Sequence, residues 1–177
     1  TLDFVANKYS ICAVAHLAQS FQELGCYHAD TSYTLDTLHN NGMGNPVDYT
    51  GMTWSGFRPS DDACRYGYLV ASNMFAVVVL GYLEEMLSAA YPEEKELIAE
   101  CVALKNDIAE GIKKHAVIST EKYGEIYACE VNGKGDYFLF DDANVPSLLS
   151  APYLGFCDYD DELYLNPRNP ATRAECA

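Results

Sequence analysis

Two acidic pairs, Asp61-Asp62 and Asp141-Asp142, carry most of the chemistry that this sequence can offer. Each falls where hydrophobic periodicity breaks. The first closes a long loop, and the second follows a hairpin signal. Paired carboxyl groups serve glycoside hydrolysis, in which one acts as general acid and the other as base or nucleophile. The acid needs a raised pKa, which burial beside apolar groups or a neighbouring carboxylate supplies. Trp54 and Phe57 are at hand as an apolar wall, and Arg58 is placed to hold a carboxylate ionised or to bind a sugar hydroxyl. A structural reading is equally open on residue types alone. In it, Ser60-Asp61 caps a helix and Asp62 pairs with Arg58 or Arg65.

Other chemistries find less support. The chain has no GxSxG elbow, P-loop or GxGxxG, and Gly42-Met43-Gly44 lacks both the third glycine and a preceding strand. His16, His28, His39 and His115 show no HExxH and no metal spacing, and no EF-hand pattern is present, so no metal and no cofactor are expected. The seven cysteines (Cys12, Cys26, Cys64, Cys101, Cys129, Cys157 and Cys176) include no CxxC. Scattered through a chain with an ample core, they read as small buried hydrophobes, with at least one unpaired within the chain. The net charge of −15 opposes nucleic acid and anionic membrane surfaces, both of which need basic patches. A neutral partner such as a sugar is compatible with it. Fourteen tyrosines against one tryptophan add flat faces with hydroxyls, suited to sugar rings and equally to half-buried packing positions.

The elements that must position these residues are mostly helical. At 177 residues and 49% hydrophobic content the chain fits one ordered domain. Leu2 to Leu24 has apolar residues at helical spacing, with Gly25 as a stop and His16 beside the apolar stripe as a core histidine. Cys26 to Ser72 has little periodicity and holds several turn signals; loops of that length inside compact domains are usually functional. Ser72 reads as the N-cap of a helix over Asn73 to Ala90, apolar nearly all round in its first half and so expected to be deeply buried. Pro92 separates it from an amphipathic helix over Glu93 to His115, acidic at its start and basic at its end, which implies an antiparallel helical hairpin. Glu125 to Val131 and Tyr137 to Phe140 flank Asn132-Gly133-Lys134-Gly135 and predict a β-hairpin. Short helices are expected within Val145 to Leu154 and Asp158 to Tyr164, followed by a polar tail from Asn166. The longest apolar run, Met74 to Leu80, falls short of the ~18 residues that suggest a membrane span. The chain does not begin with Met and reads as a processed product or a fragment.

Two blocks carry a resemblance. Tyr49-Thr50-Gly51-Met52-Thr53-Trp54-Ser55-Gly56-Phe57-Arg58-Pro59-Ser60-Asp61-Asp62-Ala63-Cys64, continued by Tyr68 to Tyr82, resembles the metal-independent exo-α-1,6-mannosidases, glycoside hydrolase family 125. Glu125-Ile126-Tyr127-Ala128, Asp141-Asp142-Ala143-Asn144-Val145-Pro146-Ser147-Leu148-Leu149-Ser150 and Pro152-Tyr153-Leu154-Gly155 agree in the same order, so that the best-matching part runs from Thr34 to Tyr164. The resemblance implies an (α/α)₆ barrel, or part of one, and removal of terminal α-linked mannose from a glycan with inversion. It places the general acid at Asp61, the first Asp of the Ser-Asp-Asp run, and makes Trp54, Arg58, Asp62, Asp142 and Asn144 candidates for the sugar site. The family's base, a Glu in a His-Glu-Ser-Phe run, and its early Trp-Leu-Arg-Asp segment have no counterpart here. Residues 1–177 therefore read as the central part of a catalytic domain that carries the acid but not the base. Other segments or chains would complete the barrel. A truncated, noncatalytic glycan-binding or structural module on the same scaffold is the alternative.

Overall fold

The computed structural model describes residues 47–164 apart from Ala143. The expected helix over residues 2–24 with His16, and the polar tail, lie outside the described residues. After an irregular segment, the order is β1 (Tyr68–Leu69), α1 (Val70–Ala90), α2 (Lys95–Gly111), a π-helical turn (Ile112–Ala116), β2 (Val117–Thr120), β3 (Gly124–Tyr127), β4 (Glu130–Val131), β5 (Tyr137–Phe138) and α3 (Ala151–Leu154). The described chain is mainly helical, with two small antiparallel sheets, β1-β4-β5 and β2-β3.

The start of α1 differs from the expected cap at Ser72. Strand β1 runs straight into the helix, with Tyr68 opposite Val131 and Leu69 opposite Glu130. Val70 N–H then donates to the Cys129 carbonyl at 2.9 Å. The neighbouring strand thus accepts from a donor at the helix start, and no capping side chain bonds there.

Helices α1 and α2 are joined by residues 91–94 and pack along each other as the expected hairpin. Cys101 Sγ donates to the Leu80 carbonyl at 3.2 Å, and Lys105 pairs with Glu84. The deep burial expected of α1 is not observed. Val70, Ala71, Asn73, Met74 and Leu87 are buried, whereas Phe75, Val79, Tyr82 and Met86 form an exposed apolar stripe at helical spacing. A helix stretch that is apolar nearly all round needs cover on every side, and α2 supplies only one. At 21 residues and a mean hydropathy of 1.4, α1 is long and apolar enough to cross a membrane, a property that core helices share.

The expected strand over residues 125–131 is divided. Its first half, β3, pairs with β2 in a local hairpin, and β2 was not among the expected elements; its second half, β4, pairs with β5 around the Asn132–Asp136 turn. Gly133, at φ +77°, lets the Asp48 carbonyl approach where a Cβ would stand 2.6 Å away. Only Ala151–Leu154 of the 145–154 segment is helical, and residues 158–164 are turns tied by Asp161 Oδ1 to the N–H groups of Leu163 and Tyr164. The prolines and closely spaced aspartates favour these local turns over continuous helix.

The core forms where Cys64, Leu69, Val70 and Met74 meet Ile108, Ile112, Cys129 and Val131. As expected, Cys64, Cys101 and Cys129 are buried free thiols. Burial pushes the Cys64 thiol up to about 12, so it stays protonated at neutral pH.

One buried polar side chain ties the irregular segment to this core. Asn73 Oδ1 accepts from Thr53 N–H at 2.7 Å and Thr53 Oγ1 at 2.9 Å; its Nδ2 donates to the carbonyls of Thr53 and Leu69. Replacing a fully paired amide leaves several groups without partners, each costing roughly 1–3 kcal/mol when buried. Asn73→Ala is expected to lower stability by about 2–3 kcal/mol, read from the midpoint of urea unfolding.

Candidate functional site

The acidic loop is a small hairpin. Phe57 bridges Ala63, Cys64 N–H donates to the Gly56 carbonyl at 3.0 Å, and Arg58 N–H donates to the Asp62 carbonyl at 2.8 Å. Pro59 occupies the second position of a turn closed by Asp61 N–H on the Arg58 carbonyl at 3.0 Å. A three-residue hairpin loop of this kind ends in a left-handed residue, usually glycine. Here that residue is Asp61, at φ 66°, which is the one non-glycine residue with positive φ among the described residues. Aspartate tolerates this region better than most side chains, at a cost of order 1–2 kcal/mol. Backbone strain of this type concentrates at functional sites. The alternative helix cap at Ser60-Asp61 is absent.

The hairpin tip meets the second acidic pair. Ser60 Oγ donates to Asp142 Oδ2 and lies 3.4 Å from Asp62 Oδ2. Asp142 is buried and accepts through Oδ1 from Asn144 N–H at 3.0 Å and Asn144 Nδ2 at 3.1 Å. Burial works against its charge, but the Ser60 and Asn144 hydrogen bonds, together with Arg58, win and hold its carboxyl below the usual carboxylate range. Asp141 is structural. Its oxygens accept from Leu148 and Leu149 N–H at 2.8 and 3.0 Å, and burial outweighs these bonds to push its carboxyl up.

The direct carboxylate partner of Arg58 comes from neither acidic pair. Arg58 Nε donates to Glu130 Oε1 at 2.7 Å, and its guanidinium lies 5.6 and 5.3 Å from the ring centroids of Phe138 and Phe140. Glu130 Oε2 accepts from the N–H groups of Arg65 and Tyr66 at 2.6 and 2.7 Å. Glu130 has 0% exposure. Sequence reasoning missed it. The available signal was a lone charge between Cys129 and Val131 in an apolar strand, where burial demands a partner.

Trp54 is half exposed and packs against Gly67, where a Cβ would stand 1.9 Å from Trp54 Nε1. Asp61, Asp62 and Asn144 are exposed, and so is Phe57, so the expected apolar wall is not closed among the described residues. The fold thus brings Ser60, Asp62, Asp142 and Asn144 together beside Asp61, draws Arg58 inward and leaves Trp54 at the loop entrance.

A family profile described as metal-independent alpha-mannosidase (GH125) matches residues 10–175. The chain belongs to that family. A solved metal-independent α-mannosidase of Streptococcus pneumoniae, held in a non-productive substrate complex with α-1,6-mannobiose, is 44% identical, with a TM-score of 0.78. The match covers 93% of this chain and 40% of that one. The meiotically up-regulated gene 157 protein of Schizosaccharomyces pombe (strain 972 / ATCC 24843) is 40% identical over 147 residues, covering 82% of this chain and 28% of its own. The chain therefore spans well under half the length of these two relatives.

Two measurements check the site's construction. Asp142 has a depressed folded-state pKa, so its stabilising contribution is present above the ordinary value and is lost as pH falls through the folded one. The melting-temperature gap between wild type and Asp142→Asn should stay level from pH 7 to about 5 and close below about pH 4; a gap independent of pH contradicts the assignment. Gly67→Ala should displace the chain's single tryptophan and shift its fluorescence to longer wavelength. An unchanged spectrum would mean that Trp54 does not rest on Gly67.

Proposed function

We propose that this chain is the acid-bearing part of an exo-α-mannosidase that releases terminal α-linked mannose, with α-1,6 as the linkage, by inversion. The observation that carries this reading is Asp61, an aspartate in a left-handed turn position at the tip of an anchored hairpin. Family membership and the mannobiose complex of the S. pneumoniae neighbour support the substrate class. In this reading residues 1–177 are a partial catalytic domain, and its helices belong to an (α/α)₆ barrel completed by other segments.

Asp61 donates its proton to the glycosidic oxygen as the bond from C1 breaks. A water attacks C1 from the opposite face and gives its proton to a carboxylate base. Inverting enzymes keep acid and base ~6.5–9.5 Å apart to admit that water. The base lies outside this chain. Asp142 is a poor candidate for it because its oxygens are already engaged by Ser60 and Asn144. Trp54, Arg58, Asp62, Asp142 and Asn144 line the sugar site, with Trp54 as a stacking face. The chemistry is assigned to protein carboxyl groups, with no metal and no cofactor.

In the full-length protein, Asp61→Asn should reduce mannose release from α-1,6-mannobiose by about 10²–10⁴-fold, the usual weight of a general acid. Unchanged turnover removes Asp61 from the mechanism. The 177-residue chain by itself should bind mannobiose without cleaving it, as a glycan-binding module would. Mannose release by this piece, abolished by Asp61→Asn, would place the base within it.

A further inference from the structure

We infer that Glu130 is a positioning residue for the acid, fixing Asp61 by clamping both sides of its loop. The inference rests on the reading of Asp61 as general acid. One oxygen of Glu130 takes the Arg58 side chain, three residues before Asp61, and the other takes the backbone N–H groups of Arg65 and Tyr66, just after it. The hairpin between these anchors closes on itself through Arg58 and Asp62. A shift in Glu130 is therefore transmitted to the turn that holds Asp61.

Glu130 cannot readily shift. It lies in β4, between Leu69 of β1 on one side and Phe138 of β5 on the other, with no exposed surface. Phe138 and Phe140, stacked with centroids 5.7 Å apart, present their rings to the Arg58 guanidinium. The clamp is thus made of charge-assisted bonds at short range, in an enclosed setting where such bonds are strong and directional. Glu130 also stays out of the sugar site: it has no exposed surface, and both its oxygens are bonded to the loop. Its effect on the reaction is indirect, by keeping the Asp61 carboxyl in line with the glycosidic oxygen.

Leaving-group dependence separates positioning of an acid from general damage. Departure of an alcohol from α-1,6-mannobiose requires protonation, whereas 2,4-dinitrophenolate leaves without it. In the full-length protein, Glu130→Gln should lower kcat on mannobiose by about 100-fold, as expected for a displacement near 1 Å. KM should change little, and kcat on 2,4-dinitrophenyl α-mannoside should fall less than about threefold. Asp61→Asn is the control and should show the same split. If Asp61→Asn splits the two substrates and Glu130→Gln lowers both in parallel, or neither, the positioning role is wrong. If Asp61→Asn itself shows no split, the acid assignment fails and the inference with it. Should Glu130→Gln not fold, Glu130→Asp keeps the charge but shortens the carboxylate's reach to Arg58, Arg65 and Tyr66. It should reproduce the split at about 10-fold, and a parallel loss on both substrates without a split overturns the clamp.

Discussion

The described part of this protein is organised around a carboxylate removed from water. Glu130 has no exposed surface, and a charge so placed is tolerable only when paired and fully hydrogen-bonded. Its three partners all come from residues 58–66, far away in sequence. Breaking such a buried pair costs of order 3–5 kcal/mol, because the remaining charge stays stranded. The loop therefore cannot rearrange cheaply, and the strand cannot slip without exposing the charge. Cys64, Cys129 and Val131 close the apolar surroundings.

That constraint explains how an exposed loop can hold a strained residue. Asp61 occupies a position that favours glycine, and the anchored hairpin on either side maintains it. The neighbouring acids divide by role through their donors. Asp141 is consumed by backbone N–H groups of the following turn, Asp142 is held ionised by Ser60 and Asn144, and Asp61 and Asp62 face solvent. In a chain with a net charge of −15, the local donors, not the overall field, decide which carboxylates remain available for chemistry.

Helix α1 ties this site to the remainder of the architecture. Its first turn lies under the loop through Asn73, and its later turns present Phe75, Val79, Tyr82 and Met86 outward. The first half of the helix is apolar nearly all round, and α2 covers one side of it. The relatives that it matches are more than twice as long, and a barrel of paired helices would satisfy such a face.

The sequence by itself determined the two long helices, the turn between them, the hairpin around Asn132–Asp136 and the loop that bears Asp61. These follow from local rules: 3.6-residue periodicity, proline and glycine punctuation, and turn chemistry within a few residues. It also carried the family, through two motif blocks in register. Only the tertiary structure decided which acids are spoken for. By residue type Arg58 could hold a carboxylate such as Asp62 or bind a sugar hydroxyl, and the fold gave it to Glu130 across 72 positions. The start of α1 at Val70 was hidden for the same reason. It depends on a carbonyl contributed from the segment beside another strand, and no local pattern encodes a partner that arrives only when the chain has folded.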